Sequence, residues 1–395
     1  MHIVILFHNI GGYHAARLRA AQAACQERGW RLTAIQETDS AHEHPWGDLA
    51  QEITFPLKTL LSAQAVPNEA DRHPQATLAA RRLPTCLKTL NPDVLAIPGW
   101  GYPISRAALR FAKHHRLPAI LMSESKWDDT PRTWWKEMVK SLFYTRQFQS
   151  ALVGGKLHRD YLVRLGFPAT SISFGYDIVD NDYFTQQAQS ARRHSSAIRQ
   201  QHKQLPDRPY FIAVTRFIPR KNVLRLIDAF AQYRQAISQE QAWDLVICGS
   251  GEEEANIRDR IHSYHLEPHI HLPGFQSYQA IPYWFGLASA FIHPAVSEQW
   301  GLVVNEALAA GLPALVSNRC GCYPELILEG INGFGFDPEN VEQLSYLMVK
   351  ISHLDTVELQ QMGAAALNHI QQFSPMTFGQ GIVQTIQYAC AENSK

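Results

Sequence analysis

Short apolar runs alternate with helix-length segments along most of this chain, and that alternation constrains the fold more than any single motif. The runs Ile3–Phe7, Arg31–Gln36, Val94–Pro98, Ala119–Met122 and Ala151–Val153 read as strands, with helices between them, the first from about Tyr13 to Arg28. Strands that alternate with helices build βαβ units, and βαβ units build parallel sheets. The polar stretch from Glu37 to Pro74 predicts loops and one short strand, Ile53–Phe55. A second polar stretch, 185–208, has Pro206 near its end and Pro209 just after it, and reads as a linker. The pattern then restarts, with strands at Phe211–Val214, Leu245–Cys248, Ile270–Leu272 and Phe291–His293 and helices at Asn222–Gln235, Glu252–His265 and Pro282–Ala288. A chain of 395 residues is long for one core. The expectation is an α/β protein with domains at 1–184 and 209–374, joined by 185–208, and a terminal helix from Pro375 to about Cys390.

Lys+Arg and Asp+Glu balance at 36 each. That leaves no net field to favour nucleic acid. The six cysteines show no pair of pairs at metal-finger spacing, Cys320-Gly321-Cys322 being the nearest approach. Reduced thiols in a cytoplasmic protein are therefore expected. The first apolar run is too short for a signal sequence, and no stretch approaches the roughly 18 apolar residues of a membrane span. Gly-x-Ser-x-Gly, His-Glu-x-x-His and Walker motifs are absent. A hydrolytic triad, a zinc protease and a P-loop NTPase thus have no support.

The chemistry concentrates in Ser297-Glu298-Gln299-Trp300-Gly301-Leu302-Val303-Val304-Asn305-Glu306. A helix opening at Gly301 turns free N–H groups and a positive dipole end outward, which suits a phosphate. Glu298 precedes that helix and Glu306 lies about one turn inside it. Carboxylates accept hydrogen bonds from sugar hydroxyls, so the pattern points to a nucleotide sugar. In Val214-Thr215-Arg216-Phe217-Ile218-Pro219-Arg220-Lys221-Asn222 a strand ends, turns and opens a helix, leaving Arg216 and Lys221 where α/β sheets bind ligands. A guanidinium forks two phosphate oxygens and an ammonium adds a point charge.

Other motifs divide between structural and functional readings. Gly249-Ser250-Gly251 follows a strand, but Glu252, Glu253 and Glu254 would repel a pyrophosphate, so a tight turn is expected, with its bare backbone open to a ligand. Gly249 and Phe275 are taken as substrate contacts. Gly11-Gly12, after the first strand, is either a turn or a floor for donor phosphate or acceptor, and Gly154-Gly155-Lys156 repeats the idea more weakly. Asp180-Asn181-Asp182 matches a DxD, for which a loop or helix-capping role is favoured over a cation site. The stripe Trp127 to Tyr144, with Trp134, Trp135, Lys136 and Lys140, is expected to be a helix packing its apolar face on the sheet. Membrane docking, a lipid-linked acceptor, or stacking on a sugar ring are its functional alternatives.

These residues together resemble the retaining, nucleotide-sugar-dependent glycosyltransferases of family 4. The resemblance rests on Gly11-Gly12, on Arg216 with Lys221, on Glu298 with Glu306, on Val179-Asp180 to Phe184 and on Asn332-Gly333-Phe334, and is strongest from about Phe211 to Pro338. It implies the GT-B fold: two facing Rossmann-like domains with parallel sheets, residues 375–395 crossing back as a helix to the first domain, and the donor held by the second. It further implies that Arg216 and Lys221 clamp the diphosphate, that Glu306 binds the ribose, that Glu298 lies against the donor sugar, and that the N–H groups of Gly301, Leu302 and Val303 meet sugar and phosphate. No metal and no cofactor are expected beyond the donor. Many relatives carry a histidine where this chain reads Ser123-Glu124-Ser125, so Glu124 would position the donor sugar or the acceptor hydroxyl. The acceptor is a glycan, a lipid-linked or a small molecule. The location is cytoplasmic, with peripheral contact at the inner membrane face as a second option. An epimerase of like architecture and a non-catalytic sugar-binding relative are the rival readings.

Overall fold

The structure is a computed structural model that describes residues 1–39, 52–61, 72–201 and 204–393. Contacts divide the chain into two units, Met1–Asp180 with Phe373–Lys395, and Asn181–Gln372.

In the first unit β1 (His2–Phe7), β2 (Arg31–Thr38), β3 (Leu57–Leu61), β4 (Val94–Pro98), β5 (Ala119–Ser123), β6 (Ser150–Val153) and β7 (Ile172–Phe174) form one parallel sheet. Its order is β3-β2-β1-β4-β5-β6-β7. Side chains alternate across a strand, so each strand feeds two cores. Val4, Leu6, Leu95, Ile97 and Leu121 face the helices Arg72–Leu90 and Pro103–His115, while Ile3, Ile5, Phe7, Ala96 and Met122 face the helix Gly12–Gln26. The terminal helix Pro375–Asn393 joins this second core through Phe378, Ile382, Ile386 and Ala389, at helical spacing. Strands buried on both faces explain why they read as unbroken apolar runs.

The second unit repeats the plan. β8 (Tyr210–Val214), β9 (Asp244–Cys248), β10 (Ile270–Gly274), β11 (Ala290–His293), β12 (Ala314–Ser317) and β13 (Gly333–Phe336) pair in parallel in the order β10-β9-β8-β11-β12-β13. Phe211, Ala213, Leu245, Ile247, Ile292 and Leu315 pack under the helices Val223–Ala236 and Val341–Ser352. Both strand orders reverse direction once, between β1 and β4 and between β8 and β11. Ligands of open α/β sheets bind at the carboxyl ends of strands at that switch point.

Several expectations need correction. Ile53–Phe55 is not a strand; the chain pairs with β2 slightly later, at β3. The stretch read as a linker is largely helical, Asn181–Arg193 followed by Ser195–Gln201. Polarity misled because only one stripe of the first helix is apolar: Phe184 meets the rings of Tyr278 and Phe285, Tyr183 stacks on Tyr278 at 5.0 Å, and Thr185 Oγ1 donates to Ala309 O at 2.7 Å. Residues 202–203 of that stretch, and 40–51 and 62–71 of the polar stretch before β4, lie outside the described residues. The helix Trp134–Phe143 buries none of its residues, so it does not pack its apolar face on the sheet. No described helix is long and apolar enough to cross a membrane.

Candidate functional site

The turn after β8 is fixed before any ligand arrives. Phe217 is buried, and its N–H donates to Ser250 O at 2.8 Å. Pro219–Lys221 forms a single 3₁₀ turn that ends at Asn222, whose φ of 62° is left-handed. Asn222 Nδ2 donates to Pro294 O and Pro338 O at 3.0 and 2.8 Å, tying this turn to the segments after β11 and β13. Val296 N donates to Arg220 O at 3.0 Å. The Gly249-Ser250-Gly251 turn after β9 closes beneath. A Cβ on Gly249 (φ 152°) would lie 1.8 Å from Thr215 O, so only glycine lets the two turns approach this closely.

These ties bring Lys221 and Glu298, 77 residues apart in sequence, into an ion pair, each side chain 12% exposed. Arg220 NH1 reaches the other carboxylate oxygen at 3.4 Å, and His293 Nε2 stands 3.6 Å from Glu298 Oε2. Burial pushes the Glu298 carboxyl up, but the His293 ring and the Lys221 ammonium outweigh burial and hold it well below the usual 4.5. Burial also pushes the His293 imidazole below 6.5, against the partial opposition of Glu298, so the ring is neutral at pH 7.

Gly301 caps the helix Leu302–Ala309 with φ 106° and no side-chain cap. A Cβ there would meet Glu298 Cγ at 3.4 Å, His293 Nε2 at 3.5 Å and Cys322 Sγ at 3.6 Å, which places the helix mouth directly against the ion pair. The N–H groups of Leu302 and Val303 have no intrahelical partner. Trp300 is buried and donates from Nε1 to Asn305 Oδ1 at 2.8 Å, anchoring the approach to the helix. Glu306 lies inside this helix and is buried. Arg216 is exposed and pairs with no carboxylate among the described residues. Phe275 is exposed just after β10. Arg220 and His293 escaped the sequence reading; the only signal was Arg220's place beside Lys221.

In the first unit Gly11 and Gly12 follow β1 at its switch point, and Gly11 N donates to His14 Nδ1 at 3.2 Å. The second glycine pair behaves alike, with Gly155 N donating to His158 Nδ1 at 3.2 Å. Glu124 follows β5 and acts electrostatically on Asp177, a fully buried carboxyl that sequence reasoning missed. Burial first, and the Glu124 charge second, push Asp177 well up, while Arg17 at 4.0 Å opposes them. Glu124 is the partly exposed member of the two. The DxD is a helix start: Asp180 pairs with Arg19 at 2.8 Å and Asn181 Nδ2 donates to Ile370 O at 2.9 Å. Among the described residues no cluster of His, Cys, Asp and Glu is arranged to hold a metal ion.

Residues 195–368 match the profile of the family described as Glycosyl transferases group 1. This region is similar to the group 1 glycosyl transferases. The matched stretch contains the whole Lys221–Glu298–Gly301 constellation. The chain is 27% identical over 205 residues to the GDP-mannose-dependent alpha-(1-6)-phosphatidylinositol monomannoside mannosyltransferase of Mycobacterium tuberculosis, covering 50% of this chain and 51% of that one. It is 38% identical over 94 residues to a D-inositol 3-phosphate glycosyltransferase of Streptomyces griseus, 23% of this chain and 19% of that one. The match thus spans about half or less of these curated relatives. Among solved structures, a glycosyltransferase from Rickettsia africae ESF-5 superposes with a TM-score of 0.74 at 15% identity, over 100% of this chain and 98% of that one. Anabaena HepE in complex with UDP-glucose gives 0.72 at 18% identity, over 98% and 99%. At such identities the likeness concerns fold, and that fold is GT-B.

Proposed function

We propose that the protein transfers a sugar from a nucleoside-diphosphate sugar to an acceptor hydroxyl with retention at the anomeric carbon. The observation that carries this reading is the junction of the Lys221–Glu298 pair, Arg220 and the uncapped helix mouth at Gly301, all at the switch point of one sheet. Phosphate is the ligand such a junction suits, through cations, free N–H groups and a helix dipole. Arg216 and Lys221 would clamp the diphosphate and stabilise the charge that builds as the sugar leaves. Glu306 would accept from the ribose hydroxyls, Phe275 and Gly249 would flank the rest of the nucleotide, and ionised Glu298 would accept from hydroxyls of the donor sugar.

Retention follows from front-face attack. The bond from C1 to the phosphate oxygen breaks while the acceptor oxygen bonds C1 from the same side, and the acceptor proton passes to the departing phosphate oxygen. Glu124, paired with Asp177, would orient the acceptor or the donor sugar, and Gly11-Gly12 would form part of the same floor. The reaction calls on no metal or further cofactor in this scheme, and its place is the cytoplasm. A panel of UDP-, GDP- and ADP-sugars tests it by thermal shift and nucleotide release. At about 100 times Kd a true donor stabilises the protein by about 2.7 kcal/mol. A panel in which no nucleotide raises the melting temperature defeats the proposal.

A further inference from the structure

The helix Trp134–Phe143, between β5 and β6, is built inside out. Trp134 is 76% exposed, Phe143 62%, and Trp135, Met138, Val139 and Leu142 are exposed with them. At about 100° per residue these side chains share one half of the helix, and Lys136, Glu137, Lys140 and Ser141 share the other. The polar half holds the helix to the protein. Tyr161, fully buried, donates from Oη to Glu137 at 2.6 Å; Lys140 Nζ bonds Glu137 at 2.7 Å and Tyr161 Oη at 3.1 Å. A surface helix in water has the opposite orientation.

Charge around this face is one-sided. Asp128 is paired with Lys126, Asp129 with Arg132, Glu137 with Lys140, and Asp160 with Arg159. Lys136, Arg146 and Arg164 are exposed and have no carboxylate partner among the described residues. Two of them lie over indoles: Lys136 Nζ is 5.4 Å from the Trp135 ring and Arg164 Cζ is 4.9 Å from the half-exposed Trp127 ring. A protein with no net charge thus presents a tryptophan-rich apolar stripe edged by unneutralised cations.

We propose that this face docks on an anionic lipid bilayer, with the helix lying in the interface plane. Rings would enter the acyl boundary, to about 5–10 Å, while the cations stacked on them meet lipid phosphates. The stripe supplies the apolar area, and the cations add about fivefold each, roughly a hundredfold for three. The proposal is independent of the transfer chemistry, and its test reads binding alone. Full-length protein is sedimented with vesicles of phosphatidylglycerol and phosphatidylcholine in equal parts, and with pure phosphatidylcholine. The wild type should bind the anionic vesicles far more tightly, with a blue shift in tryptophan emission. Lys136→Glu/Arg146→Glu/Arg164→Glu should lose at least about a hundredfold, and Trp134→Ser/Trp135→Ser/Phe143→Ser should abolish binding, with unchanged melting temperatures because every replaced side chain is exposed. Equal affinity for both vesicles, or variants that bind as the wild type does, overturns the idea. So does a concentration-dependent dimer that the serine variants dissolve while the wild type ignores vesicles, for then a second copy covers the face.

Discussion

Replacing Lys221 by methionine keeps the side-chain length and removes the charge. Glu298 is then a carboxylate, 12% exposed, whose closest cation is gone. Breaking a buried pair by removing one partner costs about 3–5 kcal/mol. Arg220 remains 3.4 Å from the other oxygen but is 41% exposed, so it offsets at most about 1 kcal/mol. The expected loss is about 2–4 kcal/mol. For a unit of this size each kcal/mol shifts Tm by about 2–4 °C, so Lys221→Met should melt about 5–15 °C lower. Arg216→Ala removes an equal charge from an exposed position with no ion pair among the described residues, and its Tm should stay within about 2 °C of the wild type. Both variants should lose donor turnover by several orders of magnitude, as expected when a cation that stabilises the leaving group is removed. Lys221→Met/Glu298→Gln leaves no uncompensated charge and should regain most of the lost Tm. Calorimetry on the three proteins decides the matter. An unshifted Lys221→Met, or a double variant as unstable as the single one, refutes the claim that Lys221 compensates the buried Glu298 charge.

Three further outcomes are expected. His293 binds its proton less readily folded than unfolded, so stability should fall as pH drops below about 6.5, by up to about 1.4 kcal/mol per pH unit; Glu298, whose folded carboxyl is depressed, adds a second loss below about 4.5. Urea melts at several pH values should show the upper slope reduced in His293→Gln, and an unchanged slope counts against a neutral buried ring. Gly249→Ala drives a Cβ to 1.8 Å from Thr215 O and should destabilise by more than about 3 kcal/mol, read as Tm. Asn332, fully buried, accepts from Leu328 N at 2.8 Å and donates to Leu326 O at 2.9 Å; Asn332→Ala orphans both groups and should cost about 2–4 kcal/mol in chemical denaturation.

Much of the fold was legible because its information is local. Strands buried on both faces announce themselves as apolar runs, and the break and restart of that pattern around residue 200 gave two sheets. Gly301 was legible too: a glycine before a helix of small and apolar residues marks a mouth without a side-chain cap. Besides the misplaced β3, the short strands β7 and β13 were missed because runs of three or four residues leave no periodic trace. The segment 185–201 was misread because polarity alone does not separate a linker from a helix with one buried stripe.

The amino-acid order by itself determined which residue types stand at the ends of which strands: Arg216, Arg220 and Lys221 after β8, Glu298 and Gly301 after β11, Glu124 after β5. Only the tertiary structure decided how they divide the work. It paired Lys221 with Glu298, left Arg216 exposed, joined Glu124 to Asp177 and turned the tryptophans of Trp134–Phe143 outward. The physical reason is separation along the chain. Periodicity and turn chemistry act over a few residues, whereas the charge state and exposure of a side chain depend on neighbours that only parallel strand pairing brings close.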